Sequence, residues 1–215
     1  MNKKTSDEII AILKNIIVNP KPELDFNNIY ELSIAVILSA QTTDKKVNII
    51  TKNLFKKYPD FKDLKDAKID DVIKIIKPLG LANNKAKNII NLSKIITEEY
   101  NGIMPGNFDI LVTLPGIGRK TASVILALGF NIPAMPVDTH LYRMALRLGY
   151  IDSGDVIKAE EAYKKYIDKD EWILAHHLFL LFGRYYCKAA NPKCSNCELK
   201  KYCRYIKKIK HINTK

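Results

Sequence analysis

Leu114-Pro115-Gly116-Ile117-Gly118-Arg119-Lys120-Thr121-Ala122 forms a tight turn that runs into a helix, and the rest of the chain reads outward from it. Two glycines one residue apart let the backbone take positive φ and come close to a ligand. The helix that follows offers unpaired N–H groups carrying a partial positive charge, a place to hold one phosphate. An ordinary helix–helix turn has the same pattern, so this stretch alone leaves both readings open. Lys120 falls in the first helical turn, where a cation is disfavoured by about 0.3–1 kcal/mol and where desolvation would lower its pKa. A neutral amine there acts as a nucleophile, whereas a charged one contacts phosphate. Further on, Pro136-Val137-Asp138-Thr139-His140 puts Asp138 where the N-cap belongs for a helix from Thr139 to Leu148. A capping carboxylate at that point can also serve an adjacent reaction centre.

Around these segments, apolar residues recur at helical spacing and the breaks carry caps and stops. Thr5 with Glu8 reads as a capping box before IIAILKNIIV, which Pro20 and Pro22 close off. Helices are expected over about 28–39, 43–57, 69–76 and 84–100, the last stopped by Asn101-Gly102. The second half continues over about 107–113, 119–129, 139–148 (closed by Gly149), 155–167 and 171–188. No stretch alternates cleanly with period two, so the fold class is all-α.

The 215 residues are 47% hydrophobic and 27% charged, a globular composition that excludes a disordered or fibrous chain. The charge is the outlier: 35 Lys+Arg against 23 Asp+Glu gives +12, which favours a polyanionic partner. Ten Lys/Arg and one acid lie in residues 184–215, so +9 of that surplus is at the end of the chain. No apolar run reaches the roughly 18–20 residues of a membrane helix, and the N-terminus has no apolar signal region. The expectation is a soluble intracellular protein without a membrane partner. In a reducing compartment disulfides are not expected.

All four cysteines fall between 187 and 203, as Cys187-x6-Cys194-x2-Cys197-x5-Cys203. Four thiolates crowded this way form a metal-site pattern. Zinc ribbons usually carry two Cys-x2-Cys knuckles and this chain has one, so zinc and a 4Fe-4S cluster both remain open. Such a centre would fold a small loop presenting Lys188, Lys193, Lys200 and Lys201 toward phosphates.

Four motifs, LSAQTTD (38–44), LPGIGRKTA (114–122), VDTH (137–140) and the cysteine spacing after Gly183-Arg184-Tyr185, resemble the endonuclease III family of helix-hairpin-helix DNA glycosylases. The resemblance spans about residues 8–205. It implies a six-helix barrel domain over 22–132 and a discontinuous domain of 1–21 with 133–215 around a 4Fe-4S cluster held by Cys187, Cys194, Cys197 and Cys203. It also implies double-stranded DNA held across the cleft between them. By motif, Lys120 is the nucleophile on the sugar of a flipped-out nucleotide, and Asp138 activates it and stabilises developing positive charge. Gln41 would fill the gap left by the flipped base, Leu81 would wedge the opposite strand and His140 would touch a phosphate. Gly116, Gly118, Arg119, Lys188 and Lys193 complete the expected DNA contacts. The implied activity is that of a bifunctional glycosylase and AP lyase of base excision repair, acting on oxidised pyrimidines as a monomer.

Each insertion residue has a plainer reading: Gln41 as a cap of the 43–57 helix, Leu81 as a buried loop residue. The family often has an aromatic after the wedge leucine, where this chain has Ala82. An adenine-mismatch glycosylase would need a Glu near the start of the LSAQ helix and no hairpin Lys; residues 32–41 contain no Glu and Lys120 is present. Lys120 likewise disfavours a thymine-mismatch glycosylase. The alternative from another class is a non-catalytic DNA binder with a zinc-bound basic tail.

Overall fold

The structure, a computed structural model, describes residues 1–206; the rest of the basic stretch, 207–215, lies outside the described residues. Among those described, the regular structure is helical: α1 (Lys3–Ile16), α2 (Ile29–Leu38), α3 (Asp44–Lys57), α4 (Phe61–Lys65), α5 (Ile69–Ile76), α6 (Ala82–Glu99), α7 (Phe108–Leu111), α8 (Arg119–Gly129), α9 (Thr139–Leu148), α10 (Val156–Tyr166) and α11 (Trp172–Tyr185). The all-α class expected from periodicity is the one observed. Side-chain caps set most starts: Asn2, Asn28, Thr43, Asp60, Asn107, Asp138 and Asp155 each accept from an N–H two or three residues on.

Three expectations need correction. The first helix begins at Lys3, capped by Asn2 rather than by a Thr5–Glu8 box; Thr5 is inside it and donates its N–H to Asn2 at 2.8 Å. Helix α4 has no periodic signal in the sequence, because its five residues offer only Phe61 and Leu64 as an apolar pair. The last helix ends at Tyr185, not 188: Tyr186 makes the last regular bond, to the Phe182 carbonyl (2.9 Å), and the Cys187 N–H turns back onto that same carbonyl (2.8 Å) and starts the cysteine loop.

The chain divides into two compact units, Pro22–Ile132 and Met1–Lys21 together with the chain from Pro133 on. In the first, α2 is buried almost all round, with Leu32 through Leu38 inside, as a helix apolar on every face must be. It packs against α3, α6 and α8, while α4 and α5 lie on α6. In the second, α9 packs on α10 and α11, and α1 on α11. Leu13, Leu141, Tyr163, Leu178 and Phe179 are fully enclosed there. Two buried hydroxyls are satisfied: Tyr163 donates to the Leu141 carbonyl at 2.8 Å, and Tyr150 shares a 2.7 Å bond with Ser6. Burial raises the pKa of both phenols, so they stay neutral.

Candidate active site and cysteine loop

The hairpin is anchored by its apolar residues. Leu114 and Ile117 are buried, and the Ile117 N–H closes the turn on the Leu114 carbonyl at 3.1 Å. Gly116 has φ +77°, and a Cβ there would lie 3.0 Å from Asn88 of α6 and 3.1 Å from Ile37 of α2, so only glycine fits. Gly118 departs from expectation: it is extended (φ −88°, ψ 177°) and serves as the N-cap of α8, with no side-chain cap. A Cβ on Gly118 would meet nothing. No side chain therefore caps the start of α8, the positive end of the helix dipole, where an anion is favoured.

Lys120 is the second residue of α8. Since Ala122, Ser123, Ile125 and Leu126 take the inward face, Lys120 is exposed. The expected desolvation of its amine is not supplied by burial. Arg119, also exposed, lies with its guanidinium 5.1 Å from the centre of the Phe108 ring.

Asp138 is the N-cap of α9. One carboxylate oxygen, Oδ1, accepts from both His140 N (2.8 Å) and Leu141 N (2.9 Å). The cap thus fixes the carboxylate through a single oxygen.

Gln41 and Leu81 share an unusual backbone. Among the described residues, six non-glycines have positive φ, and four of them are asparagines, which tolerate that region. The other two are Gln41 (φ 56°) and Leu81 (φ 52°). For such side chains a left-handed backbone costs roughly 1–2 kcal/mol. Neither plainer reading holds: Thr43, not Gln41, caps α3, and Leu81 is 53% exposed.

Phe182, Tyr186, Pro192 and all four cysteines line one small cavity in the 187–203 loop. The thiols are free. Burial first, and neighbouring thiols after it, push Cys194 and Cys197 above the usual thiol range. Several thiolates together there call for a cationic centre. Among the described residues no three such ligands converge as the shell of one metal ion, whereas all four thiols border one cavity.

Two arginines that the sequence reading passed over hold this loop to α9. Arg143 donates through Nε to the Cys187 carbonyl (3.0 Å) and through Nη2 to the Gly183 carbonyl (2.7 Å), and bonds His140 Nδ1 (3.1 Å). Arg147 donates through Nη1 to Cys187 Sγ (3.1 Å) and the Lys188 carbonyl (2.8 Å). Its guanidinium also covers the Tyr205 ring at 4.2 Å. Their signal in the sequence was an i, i+4 arginine pair, in a chain with five arginines, on the helix that Asp138 begins. Lys188 and Lys193 are exposed, Lys193 beside the Tyr186 ring at 5.2 Å.

A fold of this kind with a hairpin lysine defines a class, and the family model that matches residues 34–169 is the HhH-GPD superfamily base excision DNA repair protein. Endonuclease III of Bacillus subtilis is 42% identical over 205 residues, 95% of this chain and 94% of that protein. Endonuclease III of Escherichia coli K12 is 37% identical over 209 residues, 97% of this chain and 99% of that protein. A solved non-covalent endonuclease III–DNA complex superposes with a TM-score of 0.94 at 39% identity, covering 98% of this chain and 99% of that one. A trapped covalent endonuclease III–DNA intermediate gives 0.93 at 39% identity, with the same coverage. The chain belongs to the endonuclease III family.

Proposed function

We propose that the chain removes oxidised pyrimidines from double-stranded DNA and then cuts the strand 3′ to the abasic site. The Lys120 amine adds to the sugar C1′ as the N-glycosidic bond breaks and the base leaves with its electron pair. Loss of a proton from the amine and opening of the sugar ring give a protein–DNA Schiff base. Removal of a C2′ proton then expels the 3′ phosphate by β-elimination. Asp138 takes the proton from the Lys120 amine and offsets positive charge on the sugar. The observation that carries this reading is a solvent-facing lysine in the uncapped first turn of a hairpin helix, in a member of the endonuclease III family.

The damaged nucleotide must leave the stack, which costs a few kcal/mol and least at a damaged pair. Gln41 fills the gap, Leu81 wedges the opposite strand, and His140, Lys188, Lys193 and the Gly116–Arg119 turn hold phosphates. The 22–132 unit serves as the six-helix barrel, and the other unit as the cluster domain. Cys187, Cys194, Cys197 and Cys203 hold a 4Fe-4S cluster; four thiols lining one small cavity, with one Cys-x2-Cys knuckle where zinc ribbons usually carry two, support it. When bound, the cluster crosslinks the four thiolates and fixes the 187–203 loop. No helix among the described residues is long and apolar enough to cross a membrane. The protein works as an intracellular monomer on chromosomal DNA.

Borohydride trapping on a duplex with one oxidised pyrimidine tests the reading. A covalent protein–DNA band is expected for wild type and none for Lys120→Ala, which still binds the duplex. No wild-type band on that duplex, nor on one with a bare abasic site, would rule out Lys120 as the nucleophile. A colourless purified protein would replace the iron–sulfur cluster with zinc.

A further inference from the structure

Lys85 is only 4% exposed, and lysine is almost never buried this deeply without a partner. Among the described residues no acid meets it: its Nζ donates to the backbone carbonyl of Leu79 at 3.0 Å, the one hydrogen bond described for its side chain. Burial holds its pKa below the ordinary lysine value. A methionine would fill the same space without that penalty, so what the ammonium adds is its grip on one carbonyl.

That carbonyl sits at a telling place. Leu79 ends the 3₁₀ turn Lys77–Leu79 with its side chain buried, and the next two residues both have positive φ, Gly80 at 70° and Leu81 at 52°. Glycine accepts such a backbone and leucine resists it. On the far side, the Leu81 carbonyl accepts the Lys85 backbone N–H at 3.0 Å, the first bond of α6. One residue thus grips the Gly80–Leu81 pair at both ends, by its side chain before it and by its main chain after it. A strained conformation persists only where its surroundings over-determine it, and half-exposed Leu81 gets little hold from its own packing.

We propose that Lys85 is a positioning residue that clamps the 79–81 turn and holds Leu81 projecting as a preformed wedge, an inference that rests on the wedge reading of Leu81. Without the Nζ bond, Leu81 relaxes toward negative φ and the turn must be reordered on every encounter with DNA.

The test uses the cluster-loaded protein carrying Lys85→Met, Leu81→Gly or both. Two rates are measured under single turnover: base release from a duplex with one oxidised pyrimidine, and cleavage of a single-stranded abasic oligomer, which has no partner strand to wedge. Lys85→Met is expected to slow the duplex reaction about tenfold, the scale of a lost hydrogen bond from a charged group, and to leave the single-strand reaction within about twofold. The double variant is expected to be no slower than Leu81→Gly alone, because Lys85 acts through Leu81. A duplex rate unchanged by Lys85→Met but slowed by Leu81→Gly overturns the clamp, as do effects that multiply in the double variant. A duplex rate unchanged by Leu81→Gly overturns the wedge reading itself, and the clamp falls with it. If Lys85→Met does not fold, as judged by thermal melting, Lys85→Gln replaces it with the same expected split between substrates.

Discussion

The two residues assigned to chemistry and the two assigned to insertion stand on opposite kinds of backbone. Lys120 and Asp138 occupy unstrained helix positions, one in a first turn and the other at an N-cap. Gln41 and Leu81 sit on left-handed turns that their side chains disfavour. The contrast has a physical basis. A reacting group must be held within a fraction of an ångström, and regular elements do this without stored strain. A group that enters a duplex must stand clear of the surface, and a sharp reversal of the chain projects it furthest. Strain at such a clamp is tolerated because function selects the geometry over the conformational energy.

If the contrast holds, Asp138 separates into two independent parts. Asparagine caps a helix about as well as aspartate but carries no charge. Asp138→Asn should therefore slow base removal by on the order of 10²–10⁴ while leaving the melting temperature nearly unchanged. Asp138→Ala should be equally slow and also less stable by about 1 kcal/mol, because the His140 and Leu141 N–H groups lose their acceptor. Single-turnover rates alongside thermal melts check both. If Asp138→Asn melts as low as Asp138→Ala, the carboxylate owes its place to something other than the cap.

The tie at the other end of α9 comes next in size. Arg147 ties the Cys187 sulfur and the Lys188 carbonyl to the last turn of α9. Arg147→Met keeps the aliphatic packing and removes those bonds, which is worth roughly 1.5–3 kcal/mol to the loop. The expected result is faster bleaching of the visible absorption in a chelator, with thermal melting of the rest of the fold shifted less. Bleaching at the wild-type rate would mean that the cysteines hold the loop by themselves.

On the strained side the sign reverses. Leu81→Asn should raise stability or leave it unchanged, with a gain of up to roughly 1 kcal/mol, since asparagine tolerates φ near 50° and an exposed leucine gives up little burial. Base removal from a duplex should fall in the same protein. Thermal melting and a duplex assay read the two quantities separately, and a clear loss of stability would show that Leu81 is not strained.

Legibility in the sequence follows the same divide. Asp138 as a cap, Lys120 in a first turn and Gly149 closing α9 at φ +79° are local patterns, and each stands where the spacing put it. The left-handed φ of Gln41 and Leu81 has no local signature, since neither residue prefers it; only the family resemblance pointed to those positions. Arg143 and Arg147 act on carbonyls some 40 residues away in the chain, pairings that only tertiary structure creates. Lys85, by contrast, has a local signature. It lies on the 85, 89, 92, 96 face of α6, whose other positions are Ile89, Leu92 and Ile96, and a lysine in such a stripe marks a buried amine with a task.

The smallest expected effect comes from the two glycines of the hairpin, which the sequence treated alike. Gly116 is needed by the fold, with positive φ and a would-be Cβ pressed against Asn88 and Ile37. Gly118 has an extended backbone and open space around it. Gly116→Ala should destabilise the first unit by about 1–2 kcal/mol, the scale of a forced left-handed alanine. Gly118→Ala should change stability by less than about 0.5 kcal/mol, as a surface substitution does. Its added methyl stands where a phosphate would approach the uncapped start of α8, so duplex affinity should fall several-fold with the fold intact. Affinity must be compared at one fixed salt concentration, because each phosphate contact contributes about 0.9 to the slope of log affinity against log salt. If Gly118→Ala weakens folding and spares binding, the turn is structural throughout, and the phosphate must be held by side chains instead.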